Sequence, residues 1–302
     1  MKYKTKDIPV LIVFFNRKKE LLVLIERLRL IQPKYIYLSC DAGRDNKEIE
    51  HVSTIRKEVL QSISWDCEVF TNFNKHNLGC KLAVSSAVQW FFSQVKEGII
   101  LEDDCIPTPS FFEYVSYYLD TYREDKRVAT IGGRRECSHN TPDEITFSSK
   151  FFCWGWASWS DRITAIDVEF GYQKQLPLSV TKDLSFWELR HVKGIHNLML
   201  DNIVNSWAYS YDLYFRSQNQ LHVVPPKNFI SNIGIGKGTH DTNIRKDKVT
   251  ANCEPFFADG DGEVSKSNIY MDMYFKKTYG LFKIIAFPYA AKLKKMKRMM
   301  GL

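Results

Sequence analysis

The 302-residue chain lacks the long apolar run that marks a membrane-spanning helix. No stretch reaches the roughly 18 apolar residues that such a helix needs. The opening MKYKTKDIPVLIVFF starts with basic residues, but its apolar run stops at Asn16 and no small-residue cleavage site follows. We therefore expect a strand here rather than a signal peptide, and a cytoplasmic protein.

The chain also lacks two glycine-rich phosphate-binding motifs. The chain contains no G-x-x-x-x-G-K-S/T, and no G-x-G-x-x-G follows its first apolar run. Any phosphate would then be held by side chains or a metal. The seven cysteines are odd in number and widely spaced, without C-x-x-C. This pattern disfavours zinc and a disulfide framework and fits free thiols in a reducing cytosol.

Basic residues outnumber acidic residues, but much of the excess lies at the C-terminal end of the chain. The net charge is +7, and the final KLKKMKRMMGL holds five of the basic residues. Elsewhere no basic stripe accompanies a nucleic-acid-binding motif, so nucleic acid is not an expected partner. The tail follows the apolar stretch LFKIIAFPYA, and bases interleaved with Leu and Met are typical of an amphipathic surface helix on anionic lipid. The alternative is a solvated C-terminus.

Apolar runs and helical patterns alternate through the first half of the chain. This order predicts a parallel sheet with helices on both faces. The predicted strands are Pro9–Phe15, Tyr35–Ser39, Cys67–Thr71, Gly98–Leu101 and Arg127–Ile131. The predicted helices are Lys18–Leu30, Lys47–Ser62, Lys81–Gln94, Pro109–Tyr122, Leu184–Leu200 and Asn205–Gln218.

Polar residues follow several of these strands, and ligands of such sheets bind at the carboxyl ends of the strands. The most marked case is GIILEDDCIPTPSFF, in which Glu102, Asp103 and Asp104 directly follow a buried strand. Carboxylate oxygens are the ligands that Mg²⁺ and Mn²⁺ prefer, and such ions keep positions open for substrate phosphates. A solvated acidic turn before Pro107 is the alternative.

Five segments occur in an order that resembles glycosyltransferases of the GT-A fold. They are IPVLIVFFNRKKELLVLIERL, SCDAGR, HNLGCKLAV, ILEDDCIPTPSFFEY and FFCWGWASWS, and SNIGIGKGTHDT closes the match. The set is similar to bacterial glycosyltransferases of surface polysaccharide synthesis and to the animal alpha-mannoside N-acetylglucosaminyltransferase I. The resemblance covers residues from about 8 to about 245.

The resemblance implies an α/β, Rossmann-like fold with a mostly parallel central sheet flanked by helices and a smaller irregular acceptor-side half. It implies one domain over residues 1–280, with a nucleotide-sugar-binding half at 1–135 and an acceptor-side half at 136–250. The basic tail at 281–302 would be appended. The implied reaction moves a sugar from a nucleotide-diphosphate donor, commonly a UDP-sugar, to a saccharide or lipid-linked saccharide, with inversion.

Site roles also follow from the resemblance. Mn²⁺ or Mg²⁺ would bridge the donor diphosphate and, as a Lewis acid, stabilise the charge on the leaving group. The implied metal ligands are Asp104 and His240. The implied donor-binding residues are Arg17, Asp41, Lys81, Glu102 and Asp103, and the implied acceptor wall is Trp154 and Trp156.

The catalytic base departs from the family pattern. An inverting transfer needs a group that accepts the proton of the acceptor hydroxyl. Relatives commonly carry an aspartate directly after a tryptophan, where NSWAYSYDLYF has Ala208. Asp212 lies one helical turn further on and is the first candidate, and Asp201 is the second. A weak or inactive enzyme is a third possibility.

Two other function classes stay open. A nucleotidyltransferase also places carboxylates and Mg²⁺ on a related sheet, but usually carries a glycine-rich N-terminal loop that Asn16-Arg17-Lys18 does not provide. A non-catalytic carbohydrate-binding protein is suggested by Ala208 alone.

Overall fold

One eight-stranded sheet organises the protein, with a separate two-stranded sheet beside it among the described residues. The computed structural model describes residues 5–137, 144–234 and 262–289, together with Lys292 and Met296. The strands are Val10–Phe14 (β1), Tyr35–Cys40 (β2), Glu68–Phe73 (β3), Glu97–Glu102 (β4), Cys105–Pro107 (β5), Val128–Gly132 (β6), Thr146–Ser148 (β7), Trp156–Trp159 (β8), Leu221–Val224 (β9) and Ile230–Asn232 (β10).

Some of the helices begin at a residue whose side chain caps the first turn. The Asp45 carboxylate accepts a hydrogen bond from the Glu48 amide, and Ser185 forms a capping box with Glu188. The α-helices are Lys18–Leu28 (α1), Asn46–Ser62 (α2), Gly79–Gln94 (α3), Pro109–Thr121 (α4), Ser160–Ile163 (α5), Phe186–Leu200 (α6), Trp207–Ser217 (α7) and Asn268–Ala286 (α8). Short 3₁₀ helices occupy Phe170–Tyr172, Leu178–Val180 and Phe287–Tyr289.

The strand order in the large sheet is β3-β2-β1-β4-β8-β6-β9-β7. The first four strands are mutually parallel, and β6 is parallel to β9, whereas β8 and β7 run antiparallel to their neighbours. The predicted α/β class with a mostly parallel sheet is therefore confirmed. The sheet continues past residue 135, because β8 lies between β4 and β6.

The apolar run of β1 is continuous because both faces of the strand are covered. Val10, Ile12 and Phe14 join a core that includes buried residues of α1, α2 and α4. Leu11 and Val13 join a second core that includes residues of α3 and α7. Alternate residues of a strand point to opposite faces, so each face of the sheet carries its own helical layer.

The five predicted strands and four predicted helices of the alternating first half are present, as are the two helices predicted in the second half, with ends shifted by a few residues. Strand β8 was not predicted, because the aromatic density of FFCWGWASWS hides its identity as a central strand. Among the described residues, no helix is both long and apolar enough to cross a bilayer.

Candidate active site at the C-terminal edge of the sheet

The parallel strands bring Glu102, Asp103 and Asp104 to the C-terminal edge of the sheet. Glu102 is the last residue of β4 and pairs with Val13 of β1. The Asp103 amide extends this pairing by donating to the Val13 carbonyl at 3.1 Å. The chain then turns into β5, so three consecutive carboxylates lie at the edge where ligands of such sheets bind.

Arg17 comes from the loop that follows β1 and faces two of these carboxylates. Its Nη1 lies 2.5 Å from Asp104 Oδ2 and 3.3 Å from Asp103 Oδ1. Asp103 Oδ2 also accepts a weak hydrogen bond from the Phe15 amide at 3.4 Å. We call the group of Arg17, Glu102, Asp103 and Asp104 the acidic edge.

The acidic edge has more negative than positive charge. Burial raises the pKa of Glu102, and Asp104 and Asp103 raise it further, against the opposing effect of Arg17. Burial and Asp104 likewise raise the pKa of Asp103, to about 7. Both shifts have the same cause: burial and mutual repulsion disfavour ionisation of all three carboxyl groups together. Such a site favours an additional cation.

A turn after β10 closes over Asp104. Strand β10 is antiparallel to β5, and the Ile233 amide donates to the Asp104 carbonyl at 3.0 Å. Asn232 Nδ2 lies 3.3 Å from Asp104 Oδ1. A Cβ at Gly234 would lie 2.2 Å from Asp104 Oδ2, so only glycine permits this close approach. The quoted SNIGIGKGTHDT therefore contributes to the site through its first residues, which a sequence pattern alone does not reveal.

Asp41 lies at the end of β2, and its carboxylate is already engaged by the protein. It accepts hydrogen bonds from the backbone amides of Ala42, Leu78 and Gly79 and from Asn74 Nδ2, at 3.0–3.1 Å. These bonds hold the loop in which α3 begins. The structure therefore gives Asp41 a positioning role, and its contact with a nucleotide stays a prediction.

Lys81 lies in the first turn of α3 and is held by the second half of the chain. Its Nζ lies 2.6 Å from Glu169 Oε1 and 4.1 Å from the centroid of the Tyr172 ring. In this arrangement its ammonium group is paired with Glu169. To contact a donor as predicted, Lys81 would have to break its ion pair with Glu169.

Strand register places an aromatic and a basic residue beside the acidic edge. Trp156 of β8 pairs with Ile100 of β4 and with Gly132 of β6. Glu102 and Arg134 lie two residues after Ile100 and Gly132, and Trp154 lies two residues before Trp156. All three are therefore at the same edge of the sheet.

Of the two predicted wall tryptophans, only Trp154 is accessible. Its ring lies 4.4 Å from the Arg134 guanidinium carbon, and Trp154 is half-buried. Trp156 is fully buried and packs against Phe151 and Trp207 in the core. The expectation that Trp156 contacts the acceptor is therefore wrong, because the strand pleat turns it into the core.

Arg134 was not identified from the sequence. It is fully buried, its Nε donates to Glu136 at 2.6 Å, and its two Nη atoms have no hydrogen-bond partner in the described structure. A basic residue two positions after a strand, next to another arginine in GGRRE, is the only sequence signal for it.

Asp212, the first predicted base, is buried in a network of charges. Its carboxylate accepts from the Phe151 amide at 2.7 Å and from Arg216 Nε at 3.1 Å, and Lys150 Nζ lies 3.4 Å away. Burial alone would raise the pKa of Asp212, but Arg216 and Lys150 hold it well below its usual range. We call Lys150, Glu188, Asp212, Arg216 and Lys266 the buried ion network.

This setting makes Asp212 a poor proton acceptor, because its negative charge is stabilised and its oxygens are engaged. Asp201, the second candidate, is exposed at the end of α6. It lines a surface depression with Tyr289 and Lys292, and no residue of the acidic edge lines that depression. His240, the second predicted metal ligand, lies outside the described residues.

The described residues contain no cluster of three His, Cys, Asp or Glu side chains arranged to hold a metal by themselves. Asp103 and Asp104 nevertheless offer hard oxygen donors with surplus negative charge. Mg²⁺ and Mn²⁺ are commonly bound by one or two carboxylates together with substrate phosphates. The acidic edge therefore fits a cation that arrives with a diphosphate better than a permanently bound ion.

Comparisons with known proteins give distant structural similarity. No protein-family model and no curated protein matches the chain. A UDP-glucose pyrophosphorylase complexed with UDP-glucose has 9% identity and a TM-score of 0.39, over 72% of this chain and 90% of that one. HddC from Yersinia pseudotuberculosis complexed with GMP-PN has 11% identity and a TM-score of 0.33, over 51% and 79%. A putative glucose-1-phosphate thymidylyltransferase from Bacillus anthracis has 9% identity and a TM-score of 0.34, over 70% and 95%.

Proposed function

We propose that the protein is a metal-dependent transferase that uses a nucleotide-sugar donor and transfers its sugar to a saccharide or lipid-linked saccharide. The observation that supports this most strongly is the acidic edge, in which three carboxylates lie at the ligand-binding end of a mostly parallel sheet with one guanidinium, which pairs with Asp103 and Asp104. A divalent cation held with a diphosphate supplies the missing positive charge and stabilises the leaving group.

The chain's own residues have distinct tasks in this proposal. Asp104 holds the cation, and Asn232 and the close packing of Gly234 fix its carboxylate. Asp103 and Glu102 face the donor ribose and sugar. Asp41 fixes the loop at the start of α3, which borders the same edge. Trp154 offers an aromatic face to an acceptor ring.

Neither Asp212 nor Asp201 has the surroundings of a catalytic base, so the proton acceptor is not assigned to either. A second candidate function, nucleotidyl transfer, would use the same carboxylates and the same cation. The absence of a glycine-rich loop after β1 favours glycosyl transfer. The solved proteins named above do not distinguish between the two, because their similarity is too low.

The products distinguish the candidates. The protein is incubated with UDP-sugars, Mn²⁺ and simple saccharides, and separately with UTP and sugar 1-phosphates. Glycosyl transfer releases UDP from the first mixture, whereas nucleotidyl transfer releases pyrophosphate from the second. We expect UDP release that depends on metal. Pyrophosphate release alone would assign the second candidate, and folded protein that binds UDP but gives neither product would be a binding protein.

A further inference from the structure

The end of α8 and the turn that follows it carry two apolar faces, and only one is covered by protein. Ile284 is fully buried, and Phe287 stacks on His191 of α6 at 5.6 Å between ring centroids. A Cβ at Gly194 of α6 would lie 2.2 Å from the Phe287 ring, which shows how closely the turn is seated. The Asn197 side chain also donates to the Pro288 carbonyl at 2.8 Å. This segment is therefore docked on α6.

The opposite face of the same segment projects apolar side chains into solvent. Phe282 is 86% exposed and Ile285 is 43% exposed. Phe282 and Ile285 lie three residues apart after the kink at Gly280, so they share one side of the end of α8. We call Phe282 and Ile285, with Lys283, the basic-apolar face.

The charge around this face has one sign. After Asp272 the chain contains no Asp or Glu, and its basic residues from there on are Lys276, Lys277, Lys283, Lys292, Lys294, Lys295, Lys297 and Arg298. Lys276, Lys277, Lys283 and Lys292 are exposed. Asp201 is the acidic residue that lines the neighbouring depression.

We propose that the basic-apolar face docks on an anionic lipid bilayer. Scattered aromatic and aliphatic side chains within a field of lysines match the interface of such a bilayer, where rings insert between headgroups and each lysine near the surface adds attraction. The side chains of Phe282 and Ile285 are already exposed, so docking needs no rearrangement of the fold. The inference is independent of the proposed reaction.

The test measures flotation of the full-length protein with vesicles of phosphatidylcholine, with or without phosphatidylglycerol. We expect binding to the anionic vesicles, at least 10-fold weaker binding to neutral ones, and loss of binding at high salt. The double variant Phe282→Ser, Ile285→Ser should bind anionic vesicles about 10-fold or more weakly, because two inserting side chains are lost.

Matched controls are Leu178→Ser and Val23→Ser, which remove exposed apolar side chains elsewhere and should bind as the wild type does. Replacement of Lys283 and Lys292 by glutamate should abolish the preference for anionic lipid. The proposal is overturned if the wild type ignores anionic vesicles, or if the double variant binds as well as the controls. Concentration-dependent dimerisation that the double variant alone loses, without vesicle binding, would instead assign the face to a second copy of the chain.

Discussion

The acidic edge and the buried ion network contain the same residue types, but the pKa values of their carboxyl groups shift in opposite directions. At the edge, three carboxyl groups lie near one guanidinium, and the pKa values of Glu102 and Asp103 are raised. In the network, two carboxylates face three basic groups, and the pKa values of Asp212 and Glu188 are lowered in spite of burial. At the edge, carboxyl groups outnumber the one guanidinium, which indicates a site for a cationic partner, whereas in the network each carboxylate has direct basic partners, which indicates a structural role.

The largest expected effect is on stability, in the network. Asp212→Asn removes the charge that pairs with buried Lys150 and Arg216, and loss of one partner of a buried ion pair costs about 3–5 kcal/mol. Urea unfolding should show this loss, while Asp201→Asn should unfold like the wild type. If Asp212→Asn were as stable as the wild type but turned over about 100-fold more slowly, Asp212 would be the base and the network interpretation would be wrong.

At the acidic edge we expect a smaller loss of stability, and one that Mn²⁺ reverses. Arg17→Gln removes the guanidinium that shields Asp103 and Asp104, so the metal-free protein should lose about 1–3 kcal/mol. Mn²⁺ should then raise the melting temperature of Arg17→Gln more than that of the wild type, because the cation replaces the lost charge. Lys18→Gln, which breaks a half-buried pair with Glu58 away from the acidic edge, provides the control. An equal response of both variants to Mn²⁺ would contradict a cation site at this edge.

The pH dependence of stability offers a third comparison. Burial lowers the pKa of His222 to about 3, near Asp212, Arg216 and Lys150, and its Nδ1 lies 2.8 Å from Thr130 Oγ1. The unfolded chain binds this proton below about pH 6.5, whereas the folded protein does not. The free energy of unfolding should therefore fall with decreasing pH between about 6.5 and 3, by up to about 1.4 kcal/mol per unit from this residue.

His222→Asn should reduce that dependence. Urea unfolding at two pH values, one above and one below 6.5, measures it for both proteins. His51→Asn, which replaces an exposed histidine in the same way, is the matched control. An identical slope in the wild type and His222→Asn would show that His222 titrates normally in the folded protein.

The alternating half of the fold was predictable because each element carries a local signal. The apolar run of β1 and the helical spacing of α1 both match the structure, as does the position of Glu102, Asp103 and Asp104 after β4. Here the hydrophobic period and the strand-end rule suffice, since no long-range pairing has to be known.

The remaining features depend on contacts between distant segments. The amides of Leu78 and Gly79 donate hydrogen bonds to the Asp41 carboxylate, and the position of Asp41 after a strand does not reveal these partners. Trp154 and Trp156 are equivalent in sequence, yet β8 buries one and leaves the other accessible. Asp212 lies on the expected helix, but its ion pair with Lys150 joins residues far apart in the chain. Sequence spacing carries no information on such pairings.

The most direct test of the acidic edge is the thermal stability of the wild type and Asp104→Asn with UDP, with and without Mn²⁺. A ligand that binds only the folded state raises the melting temperature. We predict that UDP stabilises the wild type only when Mn²⁺ is present, that Asp104→Asn loses this response, and that Asp201→Asn keeps it. Folded wild-type protein that UDP never stabilises, or an Asp104→Asn variant that responds like the wild type, would contradict a metal–diphosphate site at the three carboxylates.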